Sequence, residues 1–148
     1  MKSIISKIIS TPTGLDTLPL RVGAGSIFVA HGAQKLFGWF GGYGLEGTAG
    51  WMASIGLEPG LLMAAMAGGA EFFGGLLLIT GLFVRPAAFV LAITMMVAIV
   101  TVHLSNGLFM ADNGYEFGLA LLVVSVALVF RGAGSLSADR ALQNQLAK

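Results

Sequence analysis

The sequence predicts an all-α, polytopic membrane protein: a four-transmembrane-helix bundle with a short amphipathic helix between the first and second spans. The 148 residues are 56% hydrophobic and only 10% charged, and their mean hydropathy is +0.88. These values lie far from those of soluble domains. The few charged residues cluster between long apolar runs instead of following one face of amphipathic helices. We therefore expect lipid to surround most of the chain.

Four apolar segments approach the roughly 20 residues that a helix needs to cross about 30 Å of hydrocarbon. The predicted spans are residues 18–37, 60–83, 86–103 and 115–130. Asp16 and Thr17 are candidate N-caps of the first span, and Pro59 and Pro86 mark the starts of the second and third. The sequence therefore predicts four helices joined by three connections.

The charges in the connections predict the orientation of these spans, because Lys and Arg near span ends are retained on the cytoplasmic side. Four spans would bring the basic residues of three segments to one side: Lys2, Lys7, Arg21, Arg85, Arg131, Arg140 and Lys148. The other two connections carry carboxylates at Glu46, Glu58 and Asp112. We therefore expect a multi-pass protein of the bacterial plasma (inner) membrane with cytoplasmic N- and C-termini.

The predicted spans divide the chain into three parts. Residues 1–17 form an N-terminal interfacial segment, in which isoleucines at helical spacing between lysines and serines predict a helix on the membrane surface over residues 2–10. Residues 18–131 form the transmembrane domain, with its short amphipathic helix in the connection 38–59. Residues 132–148 form a cytoplasmic tail, either a short polar helix or a disordered end.

Composition excludes several classes of function. The net charge of +1 and the lack of any run of Lys or Arg exclude nucleic acid as a partner. The absence of cysteine excludes disulfides, iron–sulfur clusters and Cys-ligated zinc. A metal or haem centre is disfavoured, because the two histidines lie on different predicted helices without a close-spaced ligand pair. Redox chemistry would therefore need a cofactor that the side chains of this protein do not supply.

Ionisable groups within the predicted spans indicate a polar site, because each is costly in hydrocarbon unless it faces the bundle interior. Six polar residues are expected to converge in the outer half of the bundle as a binding site: His31, Lys35, Glu71, His103, Asn106 and Glu116. Of these, His31, Lys35 and Glu71 are the candidate catalytic residues. Glu71 lies on a face of small residues that admits a neighbouring helix, so His31 and Glu71 could meet, and Lys35 could reach down toward them or extend outward to the interface. Lys35 is interpreted as an interfacial anchor, and Arg21 as a cytoplasmic anchor that could instead reach toward Glu71.

The sequence also resembles the DoxX family of small bacterial membrane proteins over residues 18–131. The most specific piece is the HGxxKLFG segment at residues 31–38. The other matching positions lie in all four spans and in the first connection: Arg21, Gly25, Phe28, residues 51–57, Gly69, Glu71, Gly75, Arg85, Pro86, His103 and residues 113–116.

The resemblance implies a four-helix membrane protein tied to quinone-linked, sulfur or oxidative-stress redox systems. Relatives are described as subunits of a quinol oxidase or a thiosulfate:quinone oxidoreductase, or as the membrane member of a complex with superoxide dismutase and a sulfurtransferase. Membrane lipids, redox partner subunits and a second copy of the chain are the partners to expect. The small-residue face on the second span leaves room for such a homo-oligomer.

Two function classes follow. In the first, the chain is a quinone- or quinol-linked oxidoreductase component, in which His31 and Lys35 donate hydrogen bonds and Glu71 or Glu116 accepts protons. In the second, it is a non-catalytic membrane anchor, scaffold or small-molecule carrier, and the polar cluster orders the helices.

Overall fold

The computed structural model describes residues 2–146, and within them the chain is helical without any strand. Seven α-helices follow one another along the chain: α1 (Lys2–Ile8), α2 (Thr17–Phe37), α3 (Gly44–Ser54), α4 (Gly60–Thr80), α5 (Val84–Ala98), α6 (Glu116–Arg131) and α7 (Ala138–Leu146). A π-helical turn at Ile99–His103 and a 3-10 turn at Leu104–Asn106 prolong α5. The all-α prediction is confirmed, and a short helix, α3, separates the first two long helices.

The four longest helices pack side by side in two close pairs. The first pair is α2 with α4, the second is α5 with α6, and α4 joins the pairs through α5. The core between them is built from buried side chains of all four helices, including Phe28, Leu78, Leu91 and Leu128. The short helix α3 packs across α2 and α4.

Glycines allow α2 and α4 to approach closely. A Cβ atom on Gly25 would lie 2.8 Å from the carbonyl oxygen of Gly75, and one on Gly75 would lie 2.6 Å from the carbonyl oxygen of Gly25. Further along the same contact, a Cβ on Gly32 would overlap the backbone of Phe72. Side chains larger than hydrogen would therefore force these two helices apart.

Two helices are long and apolar enough to cross a membrane, where the sequence predicted four. Within the described residues these are Gly60–Thr80, with a mean hydropathy of 1.7, and Val84–Asn106, with 2.4. Only 33% and 28% of their apolar windows are buried, whereas the core helix of a soluble protein is mostly buried. Helix α6 has 16 residues, and α2 has 21 but carries Arg21, His31 and Lys35.

The helix ends differ from the prediction in two places. The second span was predicted to reach Phe83, but α4 ends at Thr80, because Gly81 adopts a left-handed φ of 71°. The third was predicted to begin at Pro86, but α5 begins at Val84. Its first turn is capped by Asp139, whose carboxylate accepts hydrogen bonds from the backbone N–H groups of Phe83 (2.8 Å) and Val84 (3.1 Å).

Residues 132–146, which we call the carboxyl-terminal segment, pack against the end of the bundle where α2 and α5 begin, which we call the Arg21 end. Arg21 is 1% exposed, so its interpretation as a cytoplasmic anchor is wrong. Its guanidinium donates to the carbonyl oxygens of Ala133 (3.0 Å), Ile79 (2.7 Å) and Leu78 (3.2 Å). It also donates to the carbonyl oxygen of Leu136.

Two further side chains hold the same end together. Arg85 donates to the carbonyl oxygens of Ser10 (3.0 Å), Val129 (2.6 Å) and Phe130 (2.8 Å). Burial raises the pKa of the Asp139 carboxyl, and its two backbone N–H donors oppose that shift. Hydrogen bonds thus tie the segment before α2, the α4–α5 connection and the carboxyl-terminal segment into one unit.

Candidate functional site

An ion pair joins α2 to α4 in the half of the bundle that lies away from the Arg21 end, and we call this the Lys35 end. Lys35 Nζ lies 2.6 Å from Glu71 Oε2, and the exposed fractions of the two side chains are 25% and 5%. The partner of Glu71 is therefore Lys35 and not His31, two alternatives that the sequence left open, and Lys35 is not a free interfacial anchor. One helical turn separates His31 from Lys35 on α2, so both face the same region.

A cavity of about 870 Å³ opens beside this ion pair. Four of the six predicted site residues line it: His31, Lys35, Glu71 and His103. The buried side chains of Phe28, Met95 and Leu121 form part of its wall. A few polar groups therefore lie within a largely apolar space, an arrangement typical of small-molecule sites.

His31 is exposed to this cavity. Its ring centroid lies 6.1 Å from that of Phe117 on α6, with the two ring planes tilted by 50°. Since Lys35 engages the carboxylate of Glu71, the imidazole stands beside the ion pair as a separate polar group.

The other predicted residues organise the loop between α5 and α6. His103 Nδ1 lies 2.9 Å from the carbonyl oxygen of Asn113, and the Asn106 side-chain amide donates to the same oxygen at 3.3 Å. Glu116 accepts a hydrogen bond from the backbone N–H of Met110 at 2.6 Å. Asn106 and Glu116 do not line the cavity, so the structure does not bring these two side chains together with the other four.

Sequence reasoning missed the methionines as part of the site. Five of the seven methionines line the cavity: Met52, Met63, Met66, Met95 and Met110. In the sequence they resemble ordinary packing residues, because they are dispersed over three helices and a loop. Tyr43 and Trp51 also line the cavity. Among the described residues, no group of three or more His, Cys, Asp or Glu side chains could hold a metal ion.

Comparisons with known proteins point to a single family. The family model DoxX matches residues 17–104. A protein of Bacillus subtilis (strain 168) named "Putative oxidoreductase CatD" is 37% identical over 125 residues, which cover 84% of this chain and 85% of that protein. A Haemophilus influenzae protein named "Uncharacterized protein" is 35% identical over 127 residues, covering 81% of this chain and 85% of that protein.

A second "Uncharacterized protein" of Haemophilus influenzae is 38% identical over 74 residues, or 50% of this chain and 49% of that protein. No solved structure matches the chain. The family match covers more than half of the 148 residues, and the two longer alignments cover most of both partners. This chain therefore belongs to the DoxX family.

Proposed function

We propose that this chain is a membrane component of a quinone- or quinol-linked oxidoreductase, and that it binds the quinone ring beside Lys35 and Glu71. The observation that carries the proposal is an ion pair and a histidine that line a predominantly apolar cavity of about 870 Å³. A quinone matches this cavity, because it carries polar oxygens on an apolar ring. The name of the Bacillus relative, an oxidoreductase, supports the same class of chemistry.

The residues present fit a quinone ring. Lys35 has three N–H donors, of which Glu71 accepts one, so the ammonium can also donate to a ring carbonyl oxygen. His31, exposed to the same cavity, is a second donor. In this proposal the Glu71 carboxylate accepts a proton from a ring hydroxyl. When bound, a quinone supplies the capacity to carry electrons and protons, which the side chains of this chain lack.

A partner subunit completes the proposed reaction. The chain has no cysteine to ligate an iron–sulfur cluster or to exchange thiols. In this proposal the electrons therefore pass between the bound ring and a redox centre of another polypeptide, while Lys35, Glu71 and His31 bind the ring and handle its protons.

The proposal includes a four-span topology in the bacterial plasma membrane, formed by α2, α4, α5 with its extension, and α6. A belt of large apolar side chains, each more than half exposed, supports it: Leu62, Met66, Phe73, Phe89, Met96, Val100, Val123 and Phe130. Soluble monomers rarely expose apolar surface on this scale.

Charge supports cytoplasmic N- and C-termini in this topology. The Arg21 end carries Lys7, Arg131 and Arg140, whereas the segments at the Lys35 end carry Glu46 and Asp112. A reporter active only in the periplasm, fused after residue 148, is expected to be inactive, and the same reporter inserted between residues 107 and 112 is expected to be active. The reverse pattern would invert the topology.

Quinone titration of purified protein in lipid nanodiscs tests the site. We expect Lys35→Met, Glu71→Gln and His31→Ala each to weaken binding of a naphthoquinone by about tenfold, equivalent to one lost charge-assisted contact. Glu46→Gln is the matched control, because Glu46 is an exposed carboxylate that does not line the cavity. Wild-type affinity in all three folded variants would refute the proposed site.

A second candidate function is a non-catalytic anchor, scaffold or small-molecule carrier. It is favoured by the Lys35–Glu71 pair itself, which links α2 directly to α4 as a structural pair would. In that case the three variants would lose folding yield in detergent, and those that fold would bind the naphthoquinone as the wild type does.

A further inference from the structure

We infer that the seam between α4 and α5 is a lateral portal, which admits the isoprenoid tail of a membrane-borne quinone and holds it while the ring lies beside Lys35. The inference rests on the proposed function and adds to it the class of quinone and the path by which it arrives. It assigns tail-binding roles to Met66, Ile93 and Val97.

The two helices touch near the Arg21 end and enclose the cavity farther along. A Cβ atom on Gly74 would lie 3.0 Å from Leu91 Cγ, which marks a tight contact between α4 and α5. Beyond it, toward the Lys35 end, Ala70 and Ala67 on α4 and Thr94 on α5 line the cavity. The stretch of the seam between α4 and α5 beyond Gly74 therefore borders the cavity on one side.

Residues at the edges of this stretch of the seam belong both to the cavity and to the outer surface. Met66, Ile93 and Val97 line the cavity, and they are 60%, 46% and 47% exposed. Leu62 and Val100, on the outer surface of the same two helices, are 51% and 62% exposed but do not line it. An apolar surface thus runs without interruption from the lipid-facing side of α4 and α5 into the cavity.

Two neighbouring seams are tightly packed at the same level. Between α5 and α6, a Cβ on Gly118 would lie 3.1 Å from Ile99 Cγ1. Between α2 and α4, a Cβ on Gly68 would lie 2.9 Å from Leu36 Cγ. Neither contact leaves room for a chain of carbon atoms, in contrast to the seam between α4 and α5.

The chemistry of the portal fits an isoprenoid tail. The edge residues Met66, Ile93 and Val97 are apolar, and the Thr94 hydroxyl donates to the carbonyl oxygen of Val90 at 3.0 Å, so a hydrocarbon is buried there without leaving a polar group unsatisfied. Met66 and Met63 are flexible thioethers, which adapt to a branched chain better than β-branched residues do. A tail in this seam would have its free end in the acyl region, where prenylated quinones are dissolved.

Binding of two naphthoquinones to protein in nanodiscs tests the portal: one carries a tetraprenyl tail, and menadione has the same ring without the tail. We expect Val97→Trp and Met66→Trp to weaken binding of the tailed quinone by about tenfold or more and binding of menadione by less than about twofold. The matched controls are Val100→Trp and Leu62→Trp, which place the same side chain on the lipid-facing surface and are expected to change neither affinity.

The outcomes separate this inference from the proposed function. If menadione and the tailed quinone bind with equal affinity, and neither responds to Val97→Trp, the ring site stands and the portal is refuted. If neither quinone binds the wild type, both proposals fail. As an independent measurement, a tail carrying a photoreactive diazirine is expected to label residues 62–66 or 93–97. Labelling confined to α6 would overturn the portal even if the tryptophan variants failed to fold.

Discussion

The two ends of the bundle both contain buried charge, but they satisfy it in different ways. At the Arg21 end, a guanidinium that is 1% exposed donates to four backbone carbonyl oxygens of the α4 terminus and the carboxyl-terminal segment. At the Lys35 end, an ammonium and a carboxylate satisfy each other beside a large cavity. Backbone acceptors are fixed by the fold, whereas an ion pair at a cavity can rearrange around a ligand. The arrangement at the Arg21 end is therefore suited to stabilising the fold, and the one at the Lys35 end is suited to binding a ligand.

The largest expected effect is the loss of Arg21. Arg21→Met would leave buried carbonyl oxygens without donors and is expected to lower the free energy of unfolding by about 3–5 kcal/mol, measured by denaturant titration in detergent. Arg131→Met is the control, since the Arg131 side chain is 53% exposed and bonded to a half-exposed carboxylate. Equal effects of the two substitutions would contradict the architectural role of the Arg21 end.

Asp139→Asn is expected to have an intermediate effect at the same end. The amide offers only one oxygen to the backbone N–H groups of Phe83 and Val84, so α5 loses part of its cap, at a cost of about 1–2 kcal/mol. Limited proteolysis should then cleave within residues 132–146 faster than in the wild type. Asp112→Asn, which changes an exposed carboxylate at the opposite end, should leave the cleavage rate unchanged.

The Lys35 end is expected to respond differently to removal of both its charges. Since an apolar pair of similar volume often replaces a buried ion pair without loss, Lys35→Met with Glu71→Leu should keep the free energy of unfolding within about 1 kcal/mol of the wild type. Naphthoquinone binding should nevertheless fall by about tenfold or more. Loss of stability in the double variant, with binding intact, would assign this end an architectural role too.

The smallest effect concerns the surface pair at the Arg21 end. Arg131 Nε donates to Asp16 Oδ2 at 2.7 Å, and this hydrogen bond holds the pKa of Asp16 below its ordinary value of 3.8. Its contribution to stability is therefore present above that ordinary value and is lost as the pH falls through the lowered pKa. Thermal unfolding of the wild type and Asp16→Asn should differ slightly at pH 7 and converge as the pH falls through the lowered pKa of Asp16. A difference that grows on acidification would contradict the assignment.

Local patterns predicted the helices more accurately than they predicted the partners of the polar residues. The predicted limits 18–37 and 115–130 lie within one residue of α2 and α6, because apolar runs bounded by polar and glycine residues are local signals. The predicted start of α5 was wrong because the residue that caps the helix, Asp139, lies 55 residues further along the chain. No sequence pattern near Val84 predicts that this distant carboxylate caps the helix.

The candidate site was predictable as a region but not in its contacts. The ionisable residues of α2 and α4 indicated where polar groups face inward, and Lys35 and Glu71 do meet there. Whether Glu71 meets His31 or Lys35, one turn apart on the same face, depends on side-chain length and on the stagger of the two helices. Asn106 and Glu116 satisfy nearby backbone groups in their own loop, an outcome that residue type alone does not reveal.

The acceptors of Arg21 also have a consequence for biosynthesis. Arg21 is separated from Ala133 by 112 residues and from Leu136 by 115, so the ribosome delivers these acceptors long after it has made α2. A nascent chain that has formed its long helices but lacks these residues would still hold an unsatisfied guanidinium at the base of α2. Products truncated before residue 133 should therefore be recognised and degraded by membrane proteases, and pulse-chase labelling would measure their shorter half-life.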